Sequence, residues 1–227
     1  MGVPPGLHCV ICLRDALEAA MAAVLSQPLF SYADYLAWEA SAPVRHEYLD
    51  GEVFAMTGTT TTHNVISGNV YLALRQQIRG TPCRVYMADV RLRVEAANAG
   101  FYPDVFVTCS AADAARHNEQ EDALLVVEVL SPSTEGRDRG AKFAAYRQLP
   151  TLHAVVFIAQ DEPLIEAYTR GAAGVWTLHE ARGLSATLSV QAGERAFALP
   201  LAEVYADVDF SAANADAAAA ASSGTSA

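Results

Sequence analysis

The chain has 227 residues, enough for one ordinary domain with a sizeable apolar core and too few for a second catalytic domain beside it. Its residues are 52% hydrophobic and 18% charged, and the apolar runs are too short to cross a bilayer, so we expect a soluble, cytoplasmic protein. The net charge of -11 excludes a surface coated in Lys and Arg that binds nucleic acid by electrostatics alone.

The four cysteines, Cys9, Cys12, Cys83 and Cys109, are too few and too unevenly spread for a disulfide framework. We therefore expect reduced thiols. The first two have the spacing of a redox or zinc pair, but no second Cys or His pair accompanies them, and we assign them no role. Charged residues interrupt the apolar stretch near the N-terminus, which disfavours a signal peptide.

Composition divides the chain into three parts. Residues 1–28 resemble a loosely attached extension, and residues 29–210 contain no internal repeat or long linker, which predicts a single domain. Residues 211–227 are almost entirely Ala, Ser, Gly and Asn, a composition that cannot build a core and predicts a disordered tail.

The domain begins with a helix and a hairpin. Ser31 is a helix N-cap with Asp34 as its capping-box partner, and Pro43 ends the helix. The dipeptide Asp50-Gly51 accepts the positive φ angles of a two-residue hairpin turn. The predicted strands on either side of it are residues 46–49 and 52–56.

A long amphipathic helix comes next, over residues 63–79, because apolar side chains recur every fourth residue and Gly80 supplies the stop. Three segments rich in Val, Leu and aromatic residues then predict strands at 84–94, 102–108 and 123–130. A helix at 138–148 follows. The remaining predicted strands are residues 153–159, 164–169, 175–179, 184–190 and 195–199. This order predicts an α/β or α+β fold with a mixed central β-sheet flanked by helices.

Glu128 interrupts the apolar run of residues 123–130, which has the composition of a central strand buried on both faces. A buried carboxylate costs several kcal/mol unless a cation or strong hydrogen-bond donors compensate it. The partner is either a divalent metal or an Arg or Lys. Alternatively, Glu128 lies at the exposed end of the strand in an ordinary ion pair.

Asp104 is a second acidic residue at an unexpected place, because Asp is a poor strand former and it opens a predicted strand directly after Pro103. Taken alone, it could be a turn residue. If strands 102–108 and 123–130 are neighbours, however, Asp104 and Glu128 converge. Two such carboxylates make the oxygen-rich site that Mg²⁺, or Mn²⁺ in its place, prefers.

Lys142 follows Glu128 by 14 residues, near the start of the predicted helix at 138–148. Helical spacing places Tyr146 one turn later on the same face, so both side chains could point toward the strand ends. A solvated lysine on an amphipathic helix is the alternative.

This combination resembles the PD-(D/E)XK nuclease superfamily, with Pro103-Asp104 as the first half of the motif. The strict motif fails, because Leu130 stands where the lysine belongs, and Lys142 would supply the charge from the helix. The arrangement is similar to the Uma-type family of restriction endonucleases over about residues 30–205. The segments that carry this similarity are 46–52, His63-Asn64, Tyr102-Pro-Asp104 and 127–134, followed by Asp138, Lys142 and Tyr146.

The resemblance implies a restriction-endonuclease-like fold, a divalent metal and cleavage of DNA. It also implies that Glu47 holds metal-bound water, so the expected metal residues are Asp104, Glu128 and Glu47, and Lys142 completes the catalytic set. Glu47 could equally be an exposed hairpin carboxylate. His63 is either a helix-start residue or a phosphate contact, and Asp89 would form an ion-pair stripe with Arg91 and Arg93.

The resulting hypothesis is an Mg²⁺-dependent endonuclease that hydrolyses DNA phosphodiester bonds through a metal-activated water. Two alternatives stay open at this point. One is a nuclease fold that binds or regulates without catalysis, and the other is a metal hydrolase for small phosphoesters. A homodimer would suit cleavage of both DNA strands.

Overall fold

The structure, a computed structural model, describes residues 30–56 and 58–210, so the predicted extension and tail lie outside the described residues. The helices are α1 (Tyr32–Glu39), α2 (Thr61–Gln77), α3 (Ala111–Ala115), α4 (Glu135–Arg137), α5 (Phe143–Tyr146) and α6 (Leu201–Val204), with a π-helical segment at Asp138–Lys142. Short 3₁₀ turns lie at Glu95–Ala97 and Ala172–Gly174. None of these described helices is long and apolar enough to cross a membrane.

Thirteen strands are present in this part of the chain. They are β1 (His46–Leu49), β2 (Glu52–Ala55), β3 (Arg84–Met87), β4 (Arg91–Val94), β5 (Ala99–Phe101), β6 (Val105–Thr108), β7 (Glu119–Gln120), β8 (Ala123–Val129), β9 (Ala154–Ile158), β10 (Leu164–Arg170), β11 (Trp176–Arg182), β12 (Thr187–Ala192) and β13 (Arg195–Pro200).

A six-stranded sheet in the order β11-β10-β9-β8-β6-β3 forms the central layer. Strands β8 and β9 are parallel and the other neighbours are antiparallel, so the sheet is mixed, as predicted. A five-stranded sheet, β2-β1-β5-β4-β7, contributes to the core on one face. The hairpin β12-β13 packs with α2 and α6 on the other face. The predicted class, α+β with helices flanking a mixed sheet, is confirmed.

Strand alternation in β8 decides which core each side chain enters. Leu125, Val127 and Val129 belong to the core shared with α2 and the β12-β13 hairpin. Val126 belongs to the core shared with the five-stranded sheet and α5, and so does Ala123, because a register shift between Ala123 and Leu125 breaks the alternation there. Glu128 has the parity of Val126, so its side chain points toward the second core.

Two local predictions at the start of the domain are confirmed. Ser31 caps α1, with its side chain accepting from the backbone of Asp34 and the Asp34 carboxylate accepting from the backbone of Ser31. Asp50 and Gly51 have φ values of 46° and 96°, as a hairpin turn with two positive φ angles requires.

The single strand predicted over residues 84–94 is wrong. Ala88 has a φ of 32°, outside the β region, and the chain turns there to leave the six-stranded sheet after β3 and enter the five-stranded sheet at β4. Asp89 therefore lies in a turn and not on a strand face, and it pairs with Arg45 at 3.0 Å. The predicted stripe with Arg91 and Arg93 is not formed.

The thiols of Cys83 and Cys109 form a disulfide, so the expectation of reduced cysteines is wrong for this pair. The cause is the antiparallel pairing of β3 with β6, in which Arg84 lies opposite Thr108. Cys83 precedes the one residue and Cys109 follows the other, which places the two cysteines directly across from each other. Cys9 and Cys12 lie outside the described residues.

Candidate active site

A cavity of about 400 Å³ lies where both large sheets, the start of α2 and the helical segment at 135–146 meet. Its walls carry most of the buried charged residues in the described part of the chain. The polar residues that line it are Glu47, Thr59, Thr60, His63, Asn64, Ser67, Tyr102, Asp104, Glu128, Ser131, Ser133, Thr134, Arg137, Asp138, Lys142 and Gln160. Each of the four site residues predicted from the sequence is among them.

Glu128 is buried near the end of β8, with 3% of its surface exposed. Its Oε1 accepts a hydrogen bond from the Tyr146 hydroxyl at 2.6 Å and lies 2.8 Å from Lys142 Nζ. The pKa of Glu128 is raised to about 8, mainly by burial; the charge of Lys142 opposes the rise, and the neighbouring carboxylates add to it. The alternative of an exposed ion pair at the strand end is thereby excluded.

Asp104 lies immediately before β6, not inside the strand as predicted. Because β6 pairs with β8, with Val105 opposite Val127, Asp104 and Glu128 are brought together. The backbone N–H of Val129 donates to Asp104 Oδ2 at 2.7 Å, and the backbone N–H of Asp104 lies 3.4 Å from Glu128 Oε2. The two carboxylates therefore face the same cavity from neighbouring strands.

Lys142 is fully enclosed by acidic groups. Its Nζ lies 2.8 Å from Glu128 Oε1, 3.0 Å from Glu47 Oε1 and 3.2 Å from Asp138 Oδ1. Burial alone would lower its pKa, but the three carboxylates raise it well above the usual value, so Lys142 carries a positive charge. An ammonium group has three N–H donors, and each has an acceptor here.

Glu47 comes from the other sheet, on β1, and is 4% exposed, so it is not the exposed hairpin carboxylate of the alternative interpretation. Its Oε1 accepts from the backbone N–H of Tyr102 at 3.1 Å as well as contacting Lys142. Its Oε2 lies 2.8 Å from Arg137 Nη1. Glu47 thus connects the five-stranded sheet to the helical segment through two cations.

His63 lies in the first turn of α2, and its Nε2 is 3.2 Å from Asp104 Oδ2. Burial lowers its pKa, but the hydrogen bond and negative charge of Asp104, with a backbone hydrogen bond to Val129, shift the pKa above its usual value. His63 is therefore a partner of Asp104 inside the cavity and more than a helix-start residue.

A π-helical segment positions the charged side chains Asp138 and Lys142 of the predicted helix. The helix begins at Glu135, earlier than the predicted residue 138, and the Phe143 N–H bonds to the carbonyl of Asp138, five residues back. Asp138 and Lys142 are both buried in this segment. Tyr146 follows in α5 and reaches Glu128, as its spacing from Lys142 predicted.

Arg137 is a site residue that the sequence analysis did not single out. Besides Nη1, which contacts Glu47, its guanidinium packs over the Phe54 ring with Cζ 3.7 Å from the ring centroid. Its Nε and Nη2 are buried and have no hydrogen-bond partner among the described residues. Nothing in the local sequence distinguishes it from a solvated helical arginine.

The charges of the site are unbalanced. Glu47, Asp104, Glu128 and Asp138 are four carboxyl groups, against which stand the two permanent cations Arg137 and Lys142. Full ionisation leaves a formal excess of two negative charges, and a protonated His63 removes one. A divalent cation would compensate the excess of two that remains when His63 is neutral, and carboxylate oxygens are suitable ligands for Mg²⁺.

No group of three or more His, Cys, Asp or Glu side chains in the described part of the chain has a metal-binding arrangement. Mg²⁺ is commonly held by one or two carboxylates together with waters and substrate phosphates. Asp104 and Glu128 are two carboxyl groups that line the same cavity.

Comparisons with known proteins identify a family and relatives to which this chain is similar. The sequence profile of the Uma2 family, described as "Putative restriction endonuclease", matches residues 32–202. Uncharacterized protein slr1290 of Synechocystis sp. is 34% identical over 151 residues, covering 66% of this chain and 80% of that protein. Uncharacterized protein sll1609 of the same organism is 28% identical over 170 residues, covering 74% and 96%.

A solved structure shares the fold. It is described as a putative nuclease belonging to DUF820 from Anabaena variabilis, and it superimposes with a TM-score of 0.63 at 14% sequence identity. The match covers 77% of this chain and 97% of the solved one.

Proposed function

Because the chain belongs to the Uma2 putative restriction endonuclease family, we propose that it is a metal-dependent endonuclease that hydrolyses phosphodiester bonds in DNA. The observation that carries the proposal is the convergence of Asp104 and Glu128, from neighbouring strands, on one cavity that also contains Lys142. In this proposal Asp104 and Glu128 hold Mg²⁺ or Mn²⁺, and Glu47 holds a water on the side of the site next to Lys142.

The metal, when bound, would lower the pKa of a water and offset negative charge on the reacting phosphate. The protein's own groups supply the rest. His63 holds Asp104 through Oδ2, and Tyr146 together with Lys142 holds Glu128 through Oε1. Because each of these carboxylates is fixed through one oxygen, its side chain needs little rearrangement to act as a ligand when substrate arrives.

Compensation of charge is a second role for the chain's own residues. Lys142, placed between Glu47, Glu128 and Asp138, permits three carboxylates to stay buried side by side. An acidic wall of this kind would repel a phosphate if no cation were added. We therefore expect substrate binding at the cavity itself to require the divalent ion.

Nicking of supercoiled plasmid DNA with Mg²⁺ or Mn²⁺ tests the proposal. Asp104→Asn and Glu128→Gln should each lower the rate by at least ~100-fold, since each removes a charged ligand at nearly constant volume. Glu162→Gln, which changes an exposed carboxylate paired with Arg182, serves as the matched control. If the native protein and all three variants nick DNA alike, or not at all, the endonuclease assignment is wrong.

The small-phosphoester alternative is separated by salt dependence. A DNA substrate that contacts several cationic side chains should bind less tightly as salt is raised, whereas a small diester should respond weakly. A flat response, together with turnover of a small diester, would favour the alternative. Sedimentation analysis with and without DNA tests the homodimer, which we include in the proposal for cleavage of both strands.

A further inference from the structure

The two cations of the site, the buried Lys142 and the partly buried Arg137, differ in one respect that bears on substrate binding. Lys142 has an acceptor for each of its three donors. Arg137 uses Nη1 on Glu47, whereas its Nε and Nη2 have no partner in the described part of the chain. These two nitrogens form one edge of the guanidinium, the edge that binds a carboxylate or phosphate through two parallel hydrogen bonds.

A buried donor without an acceptor is costly, and such a group calls for an explanation. The four carboxylates of the site do not supply one, because Arg137 meets only Glu47 among them and does so through its other edge. Arg137 also lines the cavity that contains Asp104 and Glu128. A bound anion in this cavity would satisfy the free edge.

We infer that Arg137, and not Lys142, is the side chain that contacts the phosphate to be cleaved, through Nε and Nη2. This role presupposes the nuclease reaction proposed above and identifies the cationic group that meets its substrate. Lys142 is then a positioning residue, which holds Glu47, Glu128 and Asp138 in place.

The immediate surroundings of Arg137 suit such a contact. The Glu47 carboxylate fixes one end of the guanidinium, and the Phe54 ring covers one of its faces, so its plane is largely set before a ligand binds. In this structure Nε and Nη2 are themselves buried, although the side chain as a whole is 27% exposed. The proposed contact therefore requires the guanidinium to turn this edge toward the cavity, and the resulting bonds would form away from bulk solvent, where they are strong.

Arg139 provides a matched control two residues further along the chain. Its guanidinium contacts Glu135 at 2.7 Å and also meets Glu166, and it is not part of the cavity wall. Substituting either arginine removes one positive charge from the same helical segment. Any general effect of the lost charge on DNA binding should therefore appear in variants of both arginines. An effect of the contact in the cavity should appear only in the Arg137 variants.

The experiment measures the affinity of the full chain for a short duplex DNA in Ca²⁺, with Mn²⁺-dependent plasmid nicking as a second readout. Arg137→Gln should weaken binding about 10- to 100-fold, the range for hydrogen bonds to a charged group, and should lower the salt slope by about one. Arg139→Gln should stay within about threefold of the native protein in both assays. Arg137→Lys keeps the charge but not the two-bond edge, so it should recover less than half of the lost affinity on a logarithmic scale.

Each outcome decides a separate point. Native nicking with unchanged Arg137→Gln and Arg137→Lys overturns the inference and leaves the nuclease assignment standing. Absence of nicking by the native protein, with Arg137-dependent binding of DNA, overturns catalysis but supports the phosphate contact. If the native protein binds no DNA, both are wrong. Should Arg137→Gln fail to fold by circular dichroism, Arg137→Lys decides: native-like affinity in that variant contradicts the two-bond contact.

Discussion

The ammonium group of Lys142 lies 2.8 Å from Glu128 Oε1, and both side chains are buried. The contact joins the π-helical segment to β8, an inner strand of the six-stranded sheet. It is the shortest of the three contacts that Lys142 makes with carboxylates. Because all partners are buried, removal of Lys142 leaves acidic groups out of water without the cation that they share.

Lys142→Met should therefore destabilise the metal-free protein by about 3–5 kcal/mol, the range for breaking a buried pair at one partner. The free energy of unfolding from urea titrations in EDTA measures the effect. Adding Glu128→Gln to Lys142→Met should recover part of the loss when the pH is above about 8, where the Glu128 carboxyl would otherwise ionise without its cation.

Arg139→Gln is the control for that series, since its partners Glu135 and Glu166 lie in contact with more solvent, and its cost should stay near 1 kcal/mol or below. Equal losses in the free energy of unfolding for Lys142→Met and Arg139→Gln would show that the buried lysine stabilises the fold no more than a partly exposed arginine does.

Tyr146→Phe should cost about 1.5–3 kcal/mol, because the hydroxyl donates at 2.6 Å to a buried carboxyl oxygen that has few other donors. The same change should weaken Mn²⁺ binding only modestly, since Tyr146 holds Glu128 without touching the cation in the proposed site. Calorimetric titration with Mn²⁺ beside urea unfolding separates the two effects. A loss of Mn²⁺ binding as large as that of Glu128→Gln would contradict the supporting role.

The pKa of Glu128 predicts how stability depends on pH. At about 8 in the folded protein it lies above the ordinary value of 4.5, so the fold favours the protonated carboxyl. That contribution is complete below pH 4.5 and is lost as the pH rises through about 8, and it amounts to roughly a few kcal/mol. The raised pKa of His63 acts in the same direction, and that of Lys142 changes nothing in this window, because its contribution is lost only above its own high pKa.

Unfolding in EDTA at pH 5, 6.5 and 8.5 should therefore show falling stability, and Glu128→Gln should flatten most of the slope. Mn²⁺ favours the ionised carboxylate, so its stabilising effect should grow with pH. A native protein whose metal-free stability rises across this range would exclude the raised pKa.

Asp104 and Glu128 could be predicted because each is an acidic residue at a position where the surrounding sequence predicts an apolar strand. Glu128 stands out in an apolar run, and Asp104 follows a proline at the edge of another. Lys142 and Tyr146 were accessible from helical spacing, although the π-helical segment that buries Asp138 and Lys142 was not. Glu47 lies on another sheet, so only the family resemblance pointed to it.

The missed features depend on contacts between segments far apart in sequence. Arg137 is distinguished by its contact with Glu47, 90 positions earlier, and by two nitrogens without partners, neither of which leaves a local pattern. The turn at Ala88 separates two strands that read as one because their composition is continuous. The pairing of Cys83 with Cys109 required knowledge that β3 and β6 are neighbours.

That pairing carries the last prediction. The disulfide closes a loop with a sequence separation of 26 residues, and loss of its constraint on the unfolded chain should lower stability by about 3 kcal/mol. Cys83→Ser and Cys109→Ser should each show this loss, whereas a reductant should affect the native protein and leave both variants unchanged. Mass spectrometry after alkylation without reductant counts the free thiols. If Cys83 and Cys109 are alkylated in the native protein and reductant does not shift its unfolding, the two thiols are not bonded and the packing of β3 against β6 holds without a covalent link.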